Sequence, residues 1–312
     1  MFYIACVLAM HACLVYNDMK YMTGIAYIPG VTGSSLIFSK SCSNVGNILD
    51  HIFCMAALHF IIRKSDFTMR QWVHPSLPRI LRDFPRRIPF MESVMPPLRR
   101  AYAKHKWPWM DWHYNVGFLA AIRPVIQQTM RPLLVGGGSS HDVIIHFRCA
   151  DTPFIRHRDY KLLRYSWYAR ALGQIDLASV SKIAIMSCHQ HKSKRAQQQA
   201  CQKYALLLAE QVRLMVPHAA VELRCDSIDA DFSTMAQAPV LIASISSMAI
   251  MAGLVSSGVT IIPSCSRKNP YHMIPERWIV VDSTSLVLEH TDVVNYVDTE
   301  RVHQQLSEPL SE

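Results

Sequence analysis

From residue 142 onward, short apolar runs alternate with stretches of helical spacing, and this pattern limits the fold more than any other feature of the chain. Residues 142–147, 182–187, 220–223, 240–244 and 259–263 read as strands. A strand with little polar interruption suits a parallel sheet, where helices cover both faces. The stretches between them, 165–172, 194–215, 231–238 and 248–257, carry helical spacing. Alternation of this kind predicts an α/β fold with a parallel sheet.

The first half is less regular. Gly33-Ser34-Ser35 precedes an apolar run at 36–38, read as a strand. Small and polar residues follow from Ser39 to Val45, and then 46–62 places Ile48, Ile52, Phe53, Ala56, Leu58 and Ile61 mostly on one helical face. A loop between a strand and a helix N-terminus is where α/β sheets bind ligands, phosphates above all. Residues 74–108 hold seven of the 17 prolines among many Arg and Lys, so the region reads as irregular. Trp107, Trp109 and Trp112 close it and could stack on a sugar. A helix is expected over 116–130, ending at Arg131-Pro132. Gly136-Gly137-Gly138-Ser139-Ser140 then reads as a flexible joint. It divides the chain into an N-terminal α/β domain, 1–135, and a C-terminal one, 136–312, with a cleft between them.

Composition removes several classes. Half of the 312 residues are hydrophobic and 18% are charged, too apolar for intrinsic disorder. No repeat of solenoid or propeller length occurs. The net charge of +9 favours an anionic partner without choosing among nucleic acid, anionic lipid and phosphorylated small molecules. Nine scattered cysteines without a CxxC motif do not form the dense pattern of a secreted disulfide scaffold, and most are expected to be buried, reduced thiols. The apolar segment Met1 to Tyr16 is shorter than the roughly 20 residues a membrane helix needs and has no Lys or Arg before it. Membrane association through this segment stays open.

Three motifs carry chemistry. His146-Phe147-Arg148-Cys149-Ala150-Asp151 follows a strand directly. Ser43-Asn44-Val45-Gly46-Asn47 leads into the apolar helix of the first half. Asp231-Phe232-Ser233-Thr234-Met235 is followed by Leu241-Ile242-Ala243-Ser244-Ile245-Ser246-Ser247 and a small-residue helix. In this order the three resemble the fucosyltransferases of the GT-B fold, whose corresponding patterns are H-x-R-R-x-D, G-G-x-G-N-Q and D-F-x-x-M … I-x-S-x-S-[ST]-F. The likeness runs over residues 36 to 265.

The resemblance implies two Rossmann-like α/β domains facing a central cleft. It implies a glycosyltransferase that moves a sugar from a nucleoside diphosphate donor to a glycan or glycoprotein acceptor, inverting and without a metal. Arg148 would contact the donor diphosphate, a role suited to a permanently charged, bidentate guanidinium. His146 and Asp151 would order the donor or its loop. Gly46 and Asn47 would close over the donor from the first domain. Asp231 would bind the base or ribose, and Ser246 and Ser247 the phosphates at a helix N-terminus. For the base that accepts the acceptor's proton, Asp50 and His157 are the candidates, with His51 and Asp159 beside them. Departures from the family pattern include Cys149 for the second arginine, Ser43 and Asn44 for two glycines, Ile48 for Gln and Met248 for Phe. They leave the sugar open between fucose and another such as xylose, and the nucleotide between GDP and UDP.

An alternative is a basic protein on a degenerate transferase scaffold that binds nucleic acid or phosphoglycan. Relatives in eukaryotes work in the secretory pathway behind an anchor, whereas the missing flanking charge and unpaired cysteines fit a cytoplasmic enzyme. Asp229-Ala230-Asp231 forms a DxD, and Cys188-His189-Gln190-His191 has ligand-type residues, but neither has a full metal-ligand set by spacing. Absence of GxxxxGK[ST], GxGxxG and GxSxG argues against a P-loop, a standard dinucleotide site and a hydrolase elbow.

Overall fold

A computed structural model describes residues 25–26, 37–38, 79–83, 116–136, 138–149, 162–187, 195–264 and 276–283. The chain divides into two compact units, residues 1–108 with 128–133 and residues 109–127 with 134–312.

In the first unit, β1 (Ile25–Ala26) pairs antiparallel with β2 (Ile37–Phe38). The strand expected at 36–38 is therefore present, but its partner is an antiparallel neighbour that periodicity does not reveal. Helix α1 (Arg79–Asp83) lies inside the proline-rich stretch read as irregular. Its Ile80 is fully buried, and Arg79 donates to the Leu133 carbonyl at 3.1 Å. The helix expected over 46–62 lies outside the described residues.

The second unit holds a six-stranded parallel sheet. Its strands are β3 (Val143–His146), β4 (Lys182–Met186), β5 (Ala220–Arg224), β6 (Val240–Ile242), β7 (Val259–Ser264) and β8 (Trp278–Asp282). They lie side by side as β5-β4-β3-β6-β7-β8. Counted within the sheet, this is the order 3-2-1-4-5-6 of a doubly wound Rossmann-type fold. Every pair is parallel, with Val143 opposite Ile183 on one side and Val240 on the other. The expected strands are all present, within a residue or two at their ends. Strand β8 is not signalled by the sequence, because 265–275 breaks the alternation before it.

Helices α3 (Tyr165–Leu172), α4 (Arg195–Met215), α5 (Ile228–Gln237) and α6 (Ser247–Val255) connect the strands. Alternate residues of a strand face opposite sides of the sheet. Val143, Ile145, Ile183, Ile185, Ile242 and Ile261 pack in one core with α3 and α4. Within it Trp167 meets Tyr168 edge-on at 5.1 Å and donates from Nε1 to the Val281 carbonyl at 3.3 Å, tying α3 to β8. Tyr165 donates to the Tyr204 carbonyl of α4 at 3.0 Å. Burial raises the Tyr165 and Tyr168 hydroxyls well above the ordinary phenol range. Helices α5 and α6 pack against each other and on β3 and β7. Gly253 of α6 is needed there, because a Cβ would come within 2.6 Å of the Thr260 side chain of β7.

Helix α5 starts three residues earlier than the sequence predicts. Ser227 is its N-cap and accepts from Ala230 N at 3.2 Å, a signal that the search for an apolar run passes over. Helix α2 (Val116–Met130) follows the expectation and buries Val125, Ile126 and Met130. Its Arg123 and Gln127, one turn apart, donate to the Ser256 carbonyl at 2.9 and 3.0 Å. They thereby satisfy the C-terminal end of α6.

The stretch read as a flexible joint has left-handed glycines, Gly136 with φ 86° and Gly138 with φ 122°. Its flanks are pinned, since Val135 N donates to Ser233 Oγ at 3.0 Å and its carbonyl accepts from Gln237. It enters the sheet at the amino end of β3, which puts it at the edge opposite the one where such sheets bind phosphate.

The expectation of reduced thiols does not hold at the three described cysteines. Cys149 and Cys201 form a disulfide, and Cys225 is disulfide-bonded as well. Sequence spacing hid the pair because 52 residues separate its members and only the packing of α4 beside the exit of β3 joins them. Unpaired cysteines therefore no longer support a cytoplasmic setting. Among the described residues no helix is long and apolar enough to cross a membrane.

Candidate functional site

In the order 3-2-1-4-5-6 the winding reverses between β3 and β6, and the carboxyl ends of strands at such a switch point are where doubly wound sheets bind ligands. The residues leaving β3 there are His146, Phe147, Arg148 and Cys149. Those leaving β6 are Ala243 to Ser246, and α6 starts at Ser247. Two motifs nearly 100 residues apart in sequence thus meet at the switch point.

Ser244 joins them. Its hydroxyl is 2.7 Å from His146 Nδ1 and accepts from the Arg148 backbone N–H at 3.1 Å. At 3% exposure it is buried, so it serves this link and not the solvent. Phe147 N donates to the Met186 carbonyl of β4 at 2.9 Å, extending the ladder one residue past β3. Arg148 is half-buried. Desolvation of the imidazole, with the nearby Arg148 charge second, lowers the His146 pKa to about 3. His146 is therefore neutral at physiological pH and acts as a hydrogen-bonding group. Ser244 was not among the site residues singled out by sequence; the I-x-S-x-S spacing contained it, but its role needed the strand order.

Ser246 sits at the N-cap of α6 with extended backbone, and its side chain makes no cap hydrogen bond. Its carbonyl accepts from Ile250 N at 3.0 Å. The N-terminus of α6 thus points its first-turn N–H groups at the carboxyl edge, where helix polarity favours an anion.

Asp231 lies in the first turn of α5, beside the exit of β5. Oδ1 accepts from Asp226 N at 3.1 Å, closing the turn that leads into the helix. The residue is 5% exposed, and desolvation, reinforced by the Asp226 charge and opposed by that hydrogen bond, raises its pKa to about 6. It is a turn-closing carboxylate in this structure. Gly46, Asn47, Asp50, Asp151 and His157 lie outside the described residues, as do His51, Asp159 and 188–191. Asp229 is in the first turn of α5, and among the described residues no cluster of three His, Cys, Asp or Glu side chains gathers to hold a metal.

No family model, curated protein or solved structure matches the chain.

Proposed function

We propose that this chain is a glycosyltransferase of GT-B type that binds a nucleoside diphosphate sugar at the switch point of its parallel sheet. One observation carries the reading. His146 and Arg148 from one motif and Ser244 from another meet at the switch point, where doubly wound sheets bind nucleotides, and Ser244 is hydrogen-bonded to both.

Arg148 would hold the diphosphate and offset charge as the nucleotide departs. The N-terminus of α6, with Ser246 and Ser247, would take the phosphate oxygens. Neutral His146, fixed through Ser244, would keep the Arg148 segment in place without adding a second cation. Asp231, protonated or ionised near its raised pKa, would accept from or donate to the base or ribose. Gly46 and Asn47 would close over the donor, and Asp50 or His157 would act as the base. The donor is GDP- or UDP-linked, the sugar fucose or another such as xylose, and transfer is inverting and metal-independent.

The test is a thermal-shift and calorimetric screen with GDP, UDP, GDP-fucose and UDP-xylose, with and without EDTA. A nucleotide that binds should raise the melting temperature by mass action. Arg148→Ala should weaken that nucleotide on the order of 10- to 100-fold, as expected for loss of charge-assisted hydrogen bonds, and abolish transfer. Full nucleotide binding by this variant would sink the assignment. Steeply salt-dependent binding to nucleic acid, with no nucleotide bound, would replace it by the alternative drawn from the +9 charge.

A further inference from the structure

We infer that Cys149 and Cys201 are positioning residues for Arg148, their disulfide fixing the donor-binding segment where the resembled family has a second arginine. This rests on the nucleotide-binding reading of the same switch point and adds a requirement to it.

Three consecutive residues past the end of β3 are each tied to a different element. Phe147 is held to β4 through its backbone N–H and Arg148 to the β6 exit through Ser244 Oγ. Cys149 is held covalently to Cys201 in the second turn of α4. Phe147 and Cys149 both enter the core under α3 and α4, at 2% and 3% exposure, while Arg148 between them remains half-buried. Cys201 is fully buried on the same α4 face as Tyr204, Ala205 and Leu208, so its end of the bond is anchored in packed core. A hydrogen bond to a backbone N–H restrains the segment at one point; a covalent bond one residue later narrows its backbone conformations further. A site that binds diphosphate through one guanidinium gains from fixing the backbone that carries it beforehand, because less order is lost on binding. The exchange of arginine for cysteine at position 149 therefore replaces a charge by a constraint.

The test uses the full chain and the nucleotide that gives the strongest shift with wild type. Affinity is measured at 10 °C, well below unfolding, for wild type and Cys149→Ser/Cys201→Ser, each with and without a small dithiol. The dithiol reduces the cystine to two thiols and is itself oxidised to a cyclic disulfide, so two electrons and two protons pass to the protein. Expected is a 10-fold or greater loss of affinity for the double variant, with an unchanged near-UV circular dichroism spectrum. The dithiol should weaken wild type by a similar factor and leave the double variant unaffected. Cys149→Ala/Cys201→Val, which keeps the core apolar, serves if the serine pair fails to fold. Wild-type affinity in a folded double variant overturns the inference while leaving the nucleotide reading intact. Failure of oxidised wild type to bind any of the nucleotides overturns the reading, and the inference with it.

Discussion

The two ends of the parallel sheet carry similar residues in different settings. At the amino end, Asp142 accepts from Ser181 N and Oγ, both at 2.8 Å, and from Lys182 N at 2.9 Å. These bonds, that of the Ser181 hydroxyl first, hold its carboxyl below the ordinary range. His141 beside it is paired with Glu222 at 2.7 Å, and the carbonyl of Ser256, which caps α6, accepts from Arg123 and Gln127. At the carboxyl end, Asp231 accepts from Asp226 N and has a raised pKa, His146 is held neutral, and Ser246 makes no side-chain cap hydrogen bond to α6. At the amino end Asp142 and His141 are each met by partners of their own, although Thr260 Oγ1 and Trp278 Nε1 stay buried without one among the described residues. At the carboxyl end the polar groups link two chain segments, Ser244 meeting both His146 and the Arg148 N–H. An aspartate and a histidine thus stand in different electrostatic settings at the two ends, and the partners distinguish them.

The sharpest way to probe this contrast is to cut the covalent tie at the carboxyl end. A disulfide closing a loop of 52 residues stabilises by about 4 kcal/mol in the chain-entropy account. Cys149→Ser/Cys201→Ser should lower stability by that order in urea unfolding at pH 7; an unchanged midpoint would show that the tie contributes nothing to the fold.

Asp231→Asn comes next. The folded protein holds a proton on Asp231 between about pH 3.8 and 6 that the unfolded chain releases, so stability falls as pH rises through that window. Asparagine keeps an acceptor for Asp226 N and removes the buried charge. The variant should be more stable than wild type at pH 7, by up to about 3 kcal/mol, with the gain vanishing below pH 3.8. A destabilised variant at pH 7 would mean that the carboxylate is favoured where it stands.

Ser244→Ala should cost about 1–2 kcal/mol, because it removes the acceptor of the Arg148 N–H and the partner of His146 together. Its effect on nucleotide affinity should exceed that of any substitution at the amino end. The smallest effect belongs to Asp142→Asn, about 1 kcal/mol, with nucleotide affinity unchanged. Asp142 has a depressed pKa, so its contribution is present above about pH 3.8 and is lost as pH falls through the lower folded value. Loss of nucleotide binding in this variant would break the division between the two ends.

Much of this was legible along the chain. Helix 165–172 matches its predicted bounds because Tyr165, Tyr168, Ala171 and Leu172 fall on one face at helical spacing. Strands β3 to β7 were legible because each is a short apolar run set off by helical stretches. Strand β8 was missed, although its Trp278 and Val281 are buried, because no helical pattern precedes it. The early start of α5 was missed because Ser227 announces it by a cap and not by hydrophobic period. At the switch point, His146, Arg148 and Ser246 were singled out by motif spacing, while Ser244 and Cys201 were not. Ser244 acts through β6 lying next to β3, and Cys201 through α4 packing beside the β3 exit.

The sequence by itself determined a parallel α/β unit in the second half, since hydrophobic period and strand–helix alternation are local properties that each segment carries alone. Only the tertiary structure decided the strand order, and with it that winding reverses between β3 and β6. That reversal brings residues 146–149 and 243–247 to one switch point and gives the Ser244 hydroxyl two partners nearly 100 residues away in sequence. It also decided that Cys149 is a crosslink and that the Gly-rich stretch enters at the opposite edge. Such features depend on distances between segments, which packing of the whole core sets and no local pattern encodes.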